Sequence, residues 1–104
     1  AHATNSRHPS EFTLAPVGAI EKVLAKAGWQ VGDVDLWEIN EAFAMVTMLP
    51  MRKYGIDHAK VNVHGGACAL GHPIGASGAR LLVTLLNALA QTGGKRGVAA
   101  LCIG

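Results

Sequence analysis

Apolar residues recur along the chain in stretches of two different periods, punctuated by glycines. Val17, Ile20, Leu24 and Ala27 share the i, i+3, i+7 and i+10 spacing of one helical face. Thr13 is the expected N-cap of this helix, Pro16 is tolerated in its first turn, and Gly28 marks its stop. Gly32-Asp33 then reads as a turn, and Val34 to Ile39 as a short strand that delivers Asn40 at its C-terminal end. From Glu41 the pattern is helical again, with Phe43, Val46 and Leu49 at every third position. Pro50 removes one backbone hydrogen bond and is expected to kink this helix, which Gly55 ends.

Val61-Asn62-Val63 reads as a second strand. The segment from His64 to Gly75 follows, a twelve-residue loop with four glycines and a proline, long enough to suggest function. A third helix starts at Gly75 or Ser77. Its polar residues Arg80, Thr84, Asn87 and Gln91 form one narrow stripe, and Leu82, Val83, Leu85, Leu86 and Leu89 fill most of the remaining circumference, so burial on several sides is expected. Thr92-Gly93-Gly94 stops it. Val98 to Ile103 is a continuous apolar strand, the pattern of a strand covered on both faces. Residues 1–12 are a polar lead-in without period. Helices alternating with strands predict an α/β fold with parallel strand pairs.

Composition narrows the function classes. A length of 104 residues allows one core. Half the residues are apolar and only 15% are charged, against a typical ~25%. Nine Lys and Arg against seven Asp and Glu leave +2, and the basic residues are scattered rather than striped, which argues against nucleic acid. Cys68 and Cys102 make no CxxC pair, so neither a disulfide framework nor a zinc finger is expected, and a reducing, cytoplasmic setting is the default. The longest apolar runs fall far short of the ~20 residues of a membrane span. No targeting peptide is visible.

The richest chemistry lies in Gly71-His72-Pro73-Ile74-Gly75-Ala76-Ser77-Gly78-Ala79-Arg80. Its glycine spacing matches neither the dinucleotide nor the phosphate-loop fingerprint. Its small residues suit either close helix packing or close approach to a ligand. His72, held between a glycine and a proline, fits a directed proton carrier or a solvated loop histidine. Asn40 fits a helix N-cap or a ligand-facing side chain at a strand end. Cys102 fits an inert small hydrophobe or an acid/base thiol shifted by a nearby imidazole. His64, Cys68 and His72 have a spacing that would align metal ligands on a helix, but the intervening glycines and Pro73 oppose that helix.

Taken together, Asn40-Glu41-Ala42-Phe43-Ala44, Val61-Asn62-Val63-His64-Gly65-Gly66-Ala67, the Gly71 to Arg80 segment and Cys102-Ile103-Gly104 resemble, in order and spacing, the C-terminal half of thiolases. The resemblance covers almost the whole chain, loosening over residues 1–12. It implies a thiolase-like α/β fold in which a mixed, mostly parallel sheet is covered by helices on both faces. It also implies cleavage of a 3-oxoacyl-CoA, or the reverse Claisen condensation of two acetyl-CoA molecules, through an acyl group carried on a cysteine.

By this resemblance His72 activates the nucleophile, Asn40 holds the water of a first oxyanion hole, Cys102 moves the α-proton of the second acyl-CoA, and the Gly104 N–H serves a second oxyanion hole. Ala42 and Phe43 flank the pantetheine arm. Ketoacyl synthases, which are similar, carry histidine where this chain has Asn40 and lack the acid/base cysteine. Neither Cys68 nor Cys102 stands in the nucleophile's motif, and the family commonly has a small apolar residue at the position of Cys68. The expectation is therefore that residues 1–104 are a partial thiolase C-terminal domain, without the N-terminal half and final strand and inactive alone. Its partners would be acyl-CoA substrates, the N-terminal half, and further copies in a dimer or tetramer. No metal or cofactor beyond the CoA thioesters is expected, the setting is lipid metabolism, and nucleic acid and membrane are not expected. The alternative is a non-catalytic docking or metal-binding module. Either way, exposed apolar faces should make the chain associate unless they are covered.

Overall fold

A computed structural model describes residues 1–102. Helix α1 spans Ala15–Ala27 and buries Pro16, Val17, Ile20 and Leu24, the face set by the apolar spacing. Gly28 ends it in the left-handed region at φ 70°, where its N–H reaches back to the last helical carbonyls. The start differs from expectation. A 3₁₀ segment, Pro9–Leu14, runs straight into α1, so Leu14 and not Thr13 is the N-cap, and no side chain caps it. The Ala15 N–H donates to the Phe12 carbonyl, so backbone of the 3₁₀ turn does part of the work of a cap. The lead-in before it lies along α1, where Lys22 and Lys26 donate to the carbonyls of Thr4 and His2.

Strand β1, Leu36–Ile39, pairs in parallel with strand β2, Gly97–Ala100, in the register Leu36 with Gly97 through Ile39 with Ala100. Both strands are shorter than their apolar runs, and Ile103 lies outside the described residues. Successive side chains point to opposite faces. Trp37, Ile39, Val98 and Ala100 pack with Ile20 and Leu24 of α1, whereas Leu36 packs with Leu85 and Ala88 of helix α4, Ser77–Thr92. The sheet is thus covered on both faces, and its described pairings are all parallel. Close approach of α4 requires Gly97, because a Cβ there would run into the Leu85 side chain. The register is clasped at its start by Asp35, whose carboxylate accepts the N–H groups of Lys95 and Arg96 at 2.8 and 2.9 Å. Those two backbone bonds, that to Arg96 foremost, hold the Asp35 carboxyl below the usual range.

Helix α2, Ala44–Tyr54, runs through Pro50 and ends at Gly55 in the left-handed region. It starts three residues later than the periodicity from Glu41 suggested. The Asn40 N–H still donates to the Ala100 carbonyl, so the chain leaves the sheet only after this residue, and Phe43 remains extended at φ −137°. Phe43 is consequently exposed, and Val46, Thr47 and Pro50 form the buried face.

The expected strand at Val61–Val63 is reduced to one parallel bridge between Val61 and Trp37. Asn62 has φ 47°, a left-handed conformation that cannot continue a strand. Its side chain takes over the pairing instead. Asn62 Oδ1 accepts the Ile39 N–H and Asn62 Nδ2 donates to the Ile39 carbonyl, both at 2.9 Å. The glycine-rich segment after it holds a single helical turn, α3 (Ala67–Leu70), flanked by loops rather than forming one continuous loop. On α4, Ser77, Leu81, Leu85 and Ala88 are buried, but Leu82, Val83 and Leu86 are exposed, so within this chain the helix is covered on one side only.

Asn62 is the position where a side chain replaces backbone pairing. Asn62→Gly keeps the left-handed backbone available and removes only the amide. The expected outcome is a loss of about 2 kcal/mol of stability, from two hydrogen bonds of about 1 kcal/mol each. Urea unfolding followed by the fluorescence of the buried Trp37 measures it.

Candidate active site

The end of β1 presents Asn40. Its backbone continues the sheet by donating to Ala100 at 2.8 Å, and the residue is 1% exposed. Asn40 Nδ2 lies 3.4 Å from Nε2 of His72, across a sequence separation of 32 residues. The other amide atom, Oδ1, is buried without a hydrogen-bond partner among the described residues. A buried carbonyl oxygen left open is costly unless something polar meets it in the working state.

His72 follows Gly71, whose φ of 97° turns the chain out of α3, and precedes Pro73. Its Nδ1 lies 2.6 Å from Oγ of Ser77, the first residue of α4, and that hydroxyl lies 3.1 Å from the Pro73 carbonyl oxygen. The imidazole is therefore held on both sides, by an amide from β1 and a hydroxyl from α4. Neither Ser77 nor Asn62 carried a signal that singled it out beforehand. Ser77 read as one of two possible helix starts, and Asn62 as a residue within a strand.

Glu41 ties the strand exit to the loop that carries His72. Its Oε1 accepts the Cys68 N–H at 3.3 Å, and the carboxylate lies over Gly66, where a Cβ would overlap it. A side chain at position 66 would have to push that carboxylate aside. Beneath the site, Glu38 of β1 is buried and meets Arg80 of α4 at 3.4 Å, with Arg80 Nη1 also 3.4 Å from Thr84 Oγ1. Burial pushes the Glu38 carboxyl up, and the Arg80 charge and hydrogen bond oppose it. A glutamate inside an apolar run, with an arginine on the polar stripe of the facing helix, was the available signal for this pair.

The remaining expected residues are distributed around this centre. Ala42 is half-buried at the exit of β1, and Phe43 is 62% exposed with its ring edge-on to Phe12, centroids 5.9 Å apart. Cys102 is an exposed free thiol, and desolvation around its sulfur pushes its pKa up; no imidazole contributes to that shift. Gly104 lies outside the described residues. Among the described residues no three or more His, Cys, Asp or Glu side chains gather as a metal site, and His64 and Cys68 are exposed apart from the His72 contacts. An apolar cleft of about 470 Å³ lies elsewhere, between α1, α4 and β2, and none of the site residues lines it. No helix among the described residues is long and apolar enough to cross a membrane.

Chemically, the centre offers an imidazole nitrogen beside an amide whose oxygen is open, on a strand end where α/β folds place ligands. Comparison with known proteins identifies the lineage. The thiolase C-terminal domain model matches residues 1–104. The chain is 58% identical over 96 residues to the cytosolic acetyl-CoA acetyltransferase of Mus musculus, covering 92% of this chain and 24% of the relative. It is 54% identical over 104 residues to the acetyl-CoA acetyltransferase of Yarrowia lipolytica, covering 100% of this chain and 26% of that protein. The chain thus spans about a quarter of the length of these relatives. Two crystal structures superpose closely. A thiolase from Ascaris suum in complex with coenzyme A gives a TM-score of 0.90 at 44% identity, covering 100% of this chain and 27% of the other. The acetyl-CoA acetyltransferase of Bacillus anthracis gives 0.93 at 41% identity, covering 99% and 26%. With its full length matched by the domain model and its α/β architecture shared with these structures, the chain belongs to the thiolase family, within the C-terminal domain.

Proposed function

We propose that this chain supplies the proton-transfer and oxyanion-binding half of an acetyl-CoA acetyltransferase, whose nucleophilic cysteine lies on another part of the same protein. The observation that carries the reading is the contact between Asn40 Nδ2 and His72 Nε2, with the buried Asn40 Oδ1 left open beside it. The relatives' names supply the substrate class, acetyl-CoA, and the bound coenzyme A of the Ascaris suum thiolase supports acyl-CoA as the ligand. A cytosolic setting follows the name of the mouse relative.

In thiolysis the His72 imidazole takes the proton of the nucleophilic cysteine, and the resulting sulfur attacks the 3-oxo carbonyl of acetoacetyl-CoA. Asn40 Oδ1 accepts a hydrogen bond from a water that in turn donates to the developing oxyanion. Such fixed donors in a dry site are each worth on the order of 3 kcal/mol of transition-state stabilisation. The carbon–carbon bond then breaks, leaving an acetyl group on the cysteine and an acetyl-CoA enolate. The Cys102 thiol protonates that enolate, and the Gly104 N–H steadies its oxygen. Coenzyme A then gives its thiol proton to the Cys102 thiolate and takes the acetyl group as a second acetyl-CoA, while His72 returns its proton to the freed cysteine. Condensation runs the same steps backward, with Cys102 as thiolate removing the α-proton. The exposed Leu82, Val83 and Leu86 face of α4 supports a covering by the rest of the protein.

In the full-length protein, His72→Ala should abolish formation of the acetyl-enzyme, whereas Cys102→Ala should still form it and stop at the second half-reaction. Mass spectrometry of the protein after exposure to acetyl-CoA reads both, and full acetylation of the His72 variant would overturn the assignment. The raised Cys102 thiol gives a pH prediction with a definite sign. A thiol shifted up stays protonated through neutral pH. Thiolysis, which needs the acid form, should therefore hold from neutral into mildly alkaline solution, while condensation, which needs the thiolate, should still be rising there. Rate profiles in the two directions check this.

A further inference from the structure

Ser77 is buried at 1% exposure, sits at the start of α4, and touches His72 on the side away from Asn40. We propose that Ser77 is a positioning residue that holds His72 in one tautomer, with the proton on Nδ1 and Nε2 unprotonated. The proposal rests on the acyl-transfer reading for what His72 does, but not for how its ring is held.

Two contacts on opposite sides of the ring lead to the same proton placement. The Pro73 carbonyl can only accept, so the single hydroxyl proton of Ser77 goes to it across 3.1 Å. The lone pairs of Ser77 Oγ then face His72 Nδ1 at 2.6 Å and receive its N–H. On the far side the amide nitrogen of Asn40, which can only donate, lies 3.4 Å from Nε2, which agrees with an unprotonated Nε2 and is a contact long enough to give way to the reacting proton. The tautomer of an imidazole is set by the hydrogen bond its other nitrogen makes.

Burial sharpens the effect. Water has almost no access to the Ser77 hydroxyl, so no solvent molecule takes its place when it is removed. The relay also closes on itself, since Pro73 follows His72 directly and its carbonyl accepts the N–H groups of Ala76 and Ser77 at 2.8 and 2.9 Å. Loop and helix start are thereby locked to one another, and the hydroxyl extends that lock to the ring. Without it, Nδ1 has no fixed acceptor, both tautomers become available, and the ring turns more freely.

The test is nitrogen NMR of the full-length protein labelled with ¹⁵N-histidine, the His72 signals being those lost in His72→Ala. Wild type should show a protonated Nδ1 and an unprotonated Nε2, and Ser77→Ala should show a mixture of tautomers. Acetyl-enzyme formation by Ser77→Ala should slow roughly tenfold, about the worth of one hydrogen bond, with KM nearly unchanged. A wild-type spectrum with the proton on Nε2 would overturn the proposal. So would a slowed Ser77→Ala enzyme whose tautomer is unchanged, since that pattern marks a merely structural role. The wild-type spectrum is decisive even for a variant that folds poorly. Full acetylation by His72→Ala would instead strike at the acyl-transfer reading, leaving the ring's tautomer to be judged from the spectra.

Discussion

The C-terminal end of β1 is held from two sides, and the candidate site is built on that hold. On one side Asn40 donates to Ala100 of the parallel neighbour, and on the other the Asn62 amide makes both hydrogen bonds to Ile39. A strand end so constrained cannot slide, because a shift of one residue would move Trp37 and Ile39 to the wrong face of the sheet. The side chain of Asn40 is therefore delivered to a defined point. His72 meets it there from a loop whose own geometry is set by Pro73 and Ser77.

Helix α4 serves the site and the core with one face. Leu81, Leu85 and Ala88 are buried, and Leu85 and Ala88 pack with Leu36. One turn apart on the same helix, Ser77 reaches the imidazole and Arg80 reaches Glu38. A buried ion pair of this kind contributes little net stability, since desolvation offsets much of the attraction. Removing either partner is another matter, because it would leave a charge beneath the site without its counterpart. Glu41 adds a third polar link, from the strand exit to the backbone of the loop before His72. Strand β1, the loop before His72 and α4 are thus joined by polar contacts beside the apolar core.

Much of this was legible in the residues. The spacing of Val17, Ile20 and Leu24 marks the buried face of α1, and the unbroken apolar run at Val98 marks a strand covered on both faces. Gly28, Gly55 and Gly93 stop their helices as the pattern indicates. The motifs around Asn40 and His72 were visible, and the fold brings those two side chains together. What failed did so for tertiary reasons. Val61–Val63 has strand composition, but at Asn62 the backbone turns left-handed and the side-chain amide, not the backbone, pairs with Ile39. Phe43 fits a helical period, yet the bond from Asn40 to Ala100 keeps the chain in the sheet too long for it to join α2.

Periodicity, glycine stops and motif order are local properties of the chain, and they were enough to mark α1, α2 and α4 to within a few residues, the parallel α/β architecture and the family resemblance. The sequence also pointed to Asn40, His72 and Cys102 as residues with chemistry. Which polar groups meet was settled by packing: Asn62 with Ile39, Ser77 with His72, Glu38 with Arg80 and Glu41 with Cys68. Hydrogen bonds act over about 3 Å and depend on direction. Separations of 5 to 42 residues along the chain therefore say nothing of them until the sheet and α4 have been packed face to face.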